Sequence, residues 1–247
     1  MTNPSGELRP VSLPWYADDP MPANMAIGNI RENLMAWLTI GGGIHAETLL
    51  SVTGALAGYA GQMAIWQNYI IPKRPLPPNG FMPVVTKSGE TFYFGDLLNG
   101  FLMPQSGNDF PIWMFVAGAA VSSGVDAKNL PNPNLMFQHA ASTLGSPEYD
   151  ILNLPQAHQP HMPPRQSLEV FWLSICKLMT MGFSPTNKPL PAPKPEHWPI
   201  ILGLVAQQFI VKTKDVLDPS LAVQLVMQSA IIASKYDART LKFRQPH

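Results

Sequence analysis

Three histidine-bearing stretches and one cysteine are the residues of this chain whose types and spacing could do chemistry. The first stretch is His45-Ala46-Glu47, set directly behind Gly41-Gly42-Gly43 at the expected start of a helix. An imidazole and a carboxylate this close could act as an acid–base pair or share a metal ion. Chelation is disfavoured, because residues two apart on a helix point about 200° away from each other. A structural account also covers both residues. Glu47 at a helix start gains from the helix dipole, and His45 can be satisfied by a loop carbonyl. His45 and Glu47 are thus the candidate catalytic residues, and neither a metal nor a cofactor is expected.

The second stretch is His158-Gln159-Pro160-His161. Pro160 argues against a helix, so the two imidazoles are not set one turn apart on a shared face. They read as surface loop residues. His139 follows Phe137 and Gln138 on a predicted helix and reads as a satisfied core or surface residue. Cys176 lies between Ile175 and Leu178 on an apolar helical face, where a thiol behaves as a small hydrophobe. A single cysteine excludes an intramolecular disulfide framework and a cysteine-cluster zinc site. No Gly-x-Ser-x-Gly, phosphate-binding Gly-Lys-Ser/Thr, dinucleotide glycine pattern or His-Glu-x-x-His motif is present.

The elements that must position these residues are mostly helical. From Asn24 to Leu38, apolar residues recur at helical spacing, and Gly41-Gly42-Gly43 must end that helix. The next helix starts near Ile44–Ala46 and runs to about Tyr69. It has two stripes. Leu49, Val52, Leu56, Tyr59, Met63 and Trp66 form a bulky one, and Ser51, Gly54, Gly58 and Gly61 form a bare one. Each interior glycine costs about 0.8–1.0 kcal/mol against alanine, so the bare line predicts the close approach of another backbone. That approach can lie inside one subunit or across a two-fold axis. Val84–Phe94 reads as a β-hairpin turning at Ser88-Gly89. Its aromatics Phe92, Tyr93 and Phe94 could roof a pocket at Gly41–Glu47. Asp96 is expected to cap a short helix over 97–103.

Further helices are expected over 112–123, from Asn132-Pro133 to Thr143, over 166–181, over 199–212, and from Asp218-Pro219 to Lys235. Asn108 or Asp109 should cap the first of these. The 27 prolines, about twice the usual share, cluster in connections. Residues 1–23 read as an extended arm, with Trp15 and Tyr16 able to lay it on the body. Residues 185–199 read as a proline-rich bridge to the last two helices, extended over Pro189–Pro195. The sum is a mainly α single domain of seven or eight helices with one small hairpin and long proline-rich loops. At 247 residues such a domain buries about 70–75% of its extended-chain surface.

Charge sets further bounds. Only 13% of residues are charged, and 16 Lys and Arg balance 16 Asp and Glu. This excludes a strongly basic nucleic-acid binder. Lys235, Arg239, Lys242 and Arg244 gather near the end, as the basic end of a final helix would. Leu49–Trp66 is an uncharged run of 18 residues, but its Gly, Ala, Ser and Thr make it weakly hydrophobic, a buried helix rather than a membrane span. The leading expectation is a soluble, cytoplasmic, non-catalytic protein that forms a homo-oligomer, a dimer, or binds a protein partner. The alternative is an enzyme or small-ligand-binding protein with its site near Gly41–Glu47.

Overall fold

The structure, a computed structural model, describes residues 12–105, 110–180 and 192–244. The fold is mainly α, with eight α-helices among those residues. In chain order they are α1 (Met21–Leu38), α2 (Ala46–Ile65), α3 (Asp96–Leu102), α4 (Ile112–Ser122), α5 (Pro133–Ser142), α6 (Pro164–Thr180), α7 (Trp198–Thr213) and α8 (Pro219–Ala233). A two-residue ladder pairs β1 (Thr39–Ile40) with β2 (Gly43–Ile44), and the expected hairpin pairs β3 (Met82–Val85) with β4 (Thr91–Phe94).

Helix α2 is the axis of the molecule. Every residue from Thr48 to Gln62 is buried, and α8, α7, α6 and α3 pack around it. A helix covered on all sides has no wet face to charge, and no Asp, Glu, Lys or Arg occurs between Glu47 and Lys73. The bare stripe is where α8 comes closest. A Cβ on Gly54 would lie 2.3 Å from the Val226 carbonyl oxygen, and one on Gly58 would lie 2.0 Å from that of Ala230. Both distances are far inside van der Waals contact, so only glycine allows this approach. Ser51 and Ser229 add a buried hydrogen bond between their hydroxyls at 2.8 Å. At the next turn Gly61 faces the Phe101 side chain of α3. Gln62 donates to the carbonyls of Ser234 and Tyr236 at 3.1 and 2.9 Å, which satisfies the C-terminal end of α8.

Several boundaries differ from the sequence reading. Helix α1 starts at Met21 rather than Asn24. Pro22 is tolerated in its first turn, and Asp19 accepts the Met21 N–H at 2.9 Å. The glycine run does more than end α1: Gly41 (φ 59°) and Gly42 (φ 84°) make the tight turn between β1 and β2. The α2 backbone continues to Ile70, but Trp66–Ile70 is a π-helical turn. Asp96 does not cap α3. Gly95 holds that position at φ 144°, pressed against the Gly80 carbonyl, and Asp96 falls in the first turn. In the bridge, Lys194 keeps polyproline geometry, but Pro195–His197 already turns as a short 3-10 helix leading into α7 at Trp198. The N-cap of α4 is Pro111, not Asn108 or Asp109 as expected; those two residues and the bridge up to Pro191 lie outside the described residues. The described part of the arm makes a short turn over Pro14–Ala17, and Trp15 is buried beside His197.

Candidate functional site

The structure gathers the separate histidine stretches at the N-terminal end of α2. His45 is the N-cap and lies in extended backbone, so the helical separation expected between His45 and Glu47 does not apply. Its Nδ1 accepts the Thr48 N–H at 3.3 Å and sits 2.8 Å from the Thr48 hydroxyl. With Nδ1 accepting, Nε2 carries the proton and meets Glu47 Oε2 at 3.3 Å. The other carboxylate oxygen accepts from His158 Nδ1 at 3.0 Å. His161 stacks on His45 with ring centroids 3.8 Å apart, and its backbone N–H donates to the Thr48 hydroxyl at 2.9 Å. The His158–His161 loop lies at the surface, as expected, with His161 exposed, but it is clasped onto the start of α2.

Burial holds the His45 imidazole below its ordinary value, and His161 beside it adds to this, while Glu47 opposes it. For Glu47, burial works upward. The hydrogen bonds from His158 and from its own backbone, with the charges of His45 and His158, outweigh it and hold the carboxyl below its usual range. Each imidazole nitrogen facing Glu47 points at a carboxylate oxygen, not at a shared vacant centre. Among the described residues no group of three or more His, Cys, Asp and Glu is arranged to hold a metal ion. The hairpin aromatics do not roof this end. Phe92 is buried against Tyr149 and Tyr236, and Tyr93 stacks on Phe81 with centroids 4.7 Å apart, because β4 is drawn into the core beside Lys235 and Tyr236.

A cavity of about 410 Å³ opens at the opposite end of α2. Ala64 and Ile65 of α2 form part of its wall, and the π-helical turn adds Asn68 and Tyr69. From α3 come Asp96, Leu97 and Phe101, and from the start of α7 come Glu196, His197 and Ile200. π-helical turns inside α-helices are frequent at functional sites, because the wider turn presents side chains that a regular helix would direct elsewhere. Asn68 Nδ2 donates to Glu196 Oε2 at 3.1 Å and ties that turn to α7. Asp96 is exposed and Glu196 half-buried, and neither forms a salt bridge among the described residues. His197 is 8% exposed, and its ring packs against Trp15 with centroids 5.3 Å apart. Burial holds its imidazole below the ordinary value, which keeps it neutral near pH 7; Lys194 adds to this, and Glu196 and Asp18 oppose it.

None of Asn68, Tyr69, Asp96, Glu196 and His197 stood out as a site residue in the sequence. Two signals were there to be read: the polar triplet Gln67-Asn68-Tyr69 closing an apolar helix, and Glu196-His197 placed between prolines.

The remaining candidates fall to structural positions. Cys176 is half-buried, and burial pushes its thiol up, away from the thiolate a nucleophile needs. His139 Nε2 lies 2.8 Å from the Ile151 carbonyl. The C-terminal basic residues do not form one surface. Lys235 is 1% exposed and reaches Asn99 Oδ1 at 3.1 Å, and Arg239 pairs with Asp237. No helix among the described residues is long and apolar enough to cross a membrane. Comparison with protein-family models, with curated proteins and with solved structures gives no match.

Proposed function

We propose that this protein binds a small organic molecule in the cavity between the C-terminal end of α2, α3 and the start of α7. The observation that carries the reading is the cavity itself, about 410 Å³, whose apolar walls bring together the Asn68 amide, the Asp96 and Glu196 carboxylates and the His197 ring. The volume and the mix of apolar walls with a few polar groups are those of small-molecule sites. The site lies at the end of α2 opposite Gly41–Glu47.

A ligand-observed NMR screen of small fragments against the full chain tests this. Hits should be lost in Leu97→Trp, which fills the cavity, and kept in Glu47→Gln at the far end of α2. Hits that survive Leu97→Trp and vanish in Glu47→Gln would move the site to the histidine clasp.

Self-association into a dimer is a second reading, favoured by the outer strand β3. Met82, Val84 and Val85 are all exposed on a strand with one edge unpaired among the described residues. Pro83 interrupts that edge and limits its pairing, and the glycine stripe is already covered by α8. Sedimentation equilibrium that finds only monomer at high micromolar concentration removes this reading.

A further inference from the structure

The geometry points to an organic cation, an ammonium group on an apolar or aromatic body, as the ligand class of the α2–α3–α7 cavity; this rests on the reading of that cavity as a binding site. Charge is the first argument. Asp96 and Glu196 both line the cavity, and no Lys or Arg lines it among the described residues. Glu196 accepts only the uncharged Asn68 amide among those residues, so its charge is not neutralised. Asp96 is released from capping because Gly95 takes that position. Two uncompensated carboxylates on one partly apolar cavity disfavour an anion and favour a cation.

The walls supply the second argument. Tyr69 and Phe101 add aromatic side chains to the wall of the same cavity. Aromatic faces attract a desolvated cation, and they hold an organic ammonium better than a strongly hydrated metal ion. A hard divalent ion needs about six or more oxygen ligands within bonding distance of one centre. Two separated carboxylates in a cavity of this size do not supply them. His197 is the third element. It lines the cavity with a ring that burial keeps from adding positive charge.

Calorimetric titration of the full chain with phenethylammonium, and with 2-phenylethanol and 3-phenylpropionate as neutral and anionic probes of similar shape, tests the inference. Phenethylammonium should bind about tenfold more tightly than 2-phenylethanol, with 3-phenylpropionate weakest, and raised salt should narrow the gap. Asp96→Asn and Glu196→Gln should each bring the ammonium-to-alcohol ratio toward one, and Glu47→Gln should leave it unchanged. If 2-phenylethanol or 3-phenylpropionate binds as tightly as the ammonium, or the ratio survives both amide variants, the ligand class is wrong while the cavity remains a site. If none of the three probes binds, the reading of the cavity itself fails.

Discussion

Asn68 and Glu196 are joined by a hydrogen bond of 3.1 Å that closes one side of the cavity across 128 residues of sequence. The donor sits in the π-helical turn after α2, and the acceptor precedes α7. A bond from an amide to a half-buried carboxylate ties the π-helical turn to the start of α7. Asn68→Ala should lower stability by about 1 kcal/mol. Urea unfolding should show this as a lower midpoint at unchanged slope.

The contact between Gly58 and Ala230 predicts opposite outcomes for two formally identical substitutions. Gly58→Ala puts a Cβ 2.0 Å from a backbone oxygen, so α8 must move, at a cost of about 3 kcal/mol or more. Gly118→Ala, in the interior of α4 with nothing within 4 Å of its added Cβ, should stabilise by about 0.5–1 kcal/mol. Thermal unfolding of both variants decides. If the two behave alike, the close packing of α2 on α8 is wrong.

The histidine clasp makes loop docking sensitive to acid. His45 is held below its ordinary value of 6.5, so its contribution is complete above pH 6.5 and is lost as pH falls from there toward its lowered value. Glu47 is held below its ordinary 4.5, so its contribution is present above that pH and is lost as pH falls further. Both signs agree. Backbone amides near His161 should exchange faster, once corrected for intrinsic rates, as pH falls from 7.5 to 5.5. In Glu47→Gln they should already be less protected at pH 7.5.

Lys235 carries a stability cost with a defined pH window. Burial lowers its amine from 10.5 to about 7, and Asn99 with the faces of Phe94 and Phe137 only partly compensates. Above pH 7 the unfolded chain holds a proton that the folded chain has released, so stability rises with pH between 7 and 9. Lys235→Met should flatten that rise and stabilise the protein at pH 7 by about 1–4 kcal/mol. Guanidinium unfolding at pH 7 and pH 9 measures both effects.

Much of the fold was legible because the local signals were strong. Asn132 and Asp218 cap α5 and α8 as read, each before a proline that opens its helix. The aligned glycines of α2 announced a close backbone, and α8 of the same chain fills that place at Gly54 and Gly58, while Gly61 meets the Phe101 side chain instead. The candidate site was legible only in pieces. His45 and Glu47 came from one stretch and His158 and His161 from another 111 residues away, and no spacing rule says that tertiary packing joins them. The cavity was hidden for a different reason. Its carboxylates come from a first-turn position freed by Gly95 and from a 3-10 turn inside the proline bridge, and both depend on backbone geometry that side-chain periodicity does not encode. The π-helical turn likewise has the composition of an ordinary helix end.

The most direct test of the cavity as a binding site is a crystal structure of the full chain grown with phenethylammonium. The account predicts the probe in the cavity beside Tyr69 and Phe101, its nitrogen within hydrogen-bonding distance of the Asp96 or Glu196 carboxylate. A cavity filled by the protein's own side chains, or a probe seated instead beside His45 and Glu47, would contradict it.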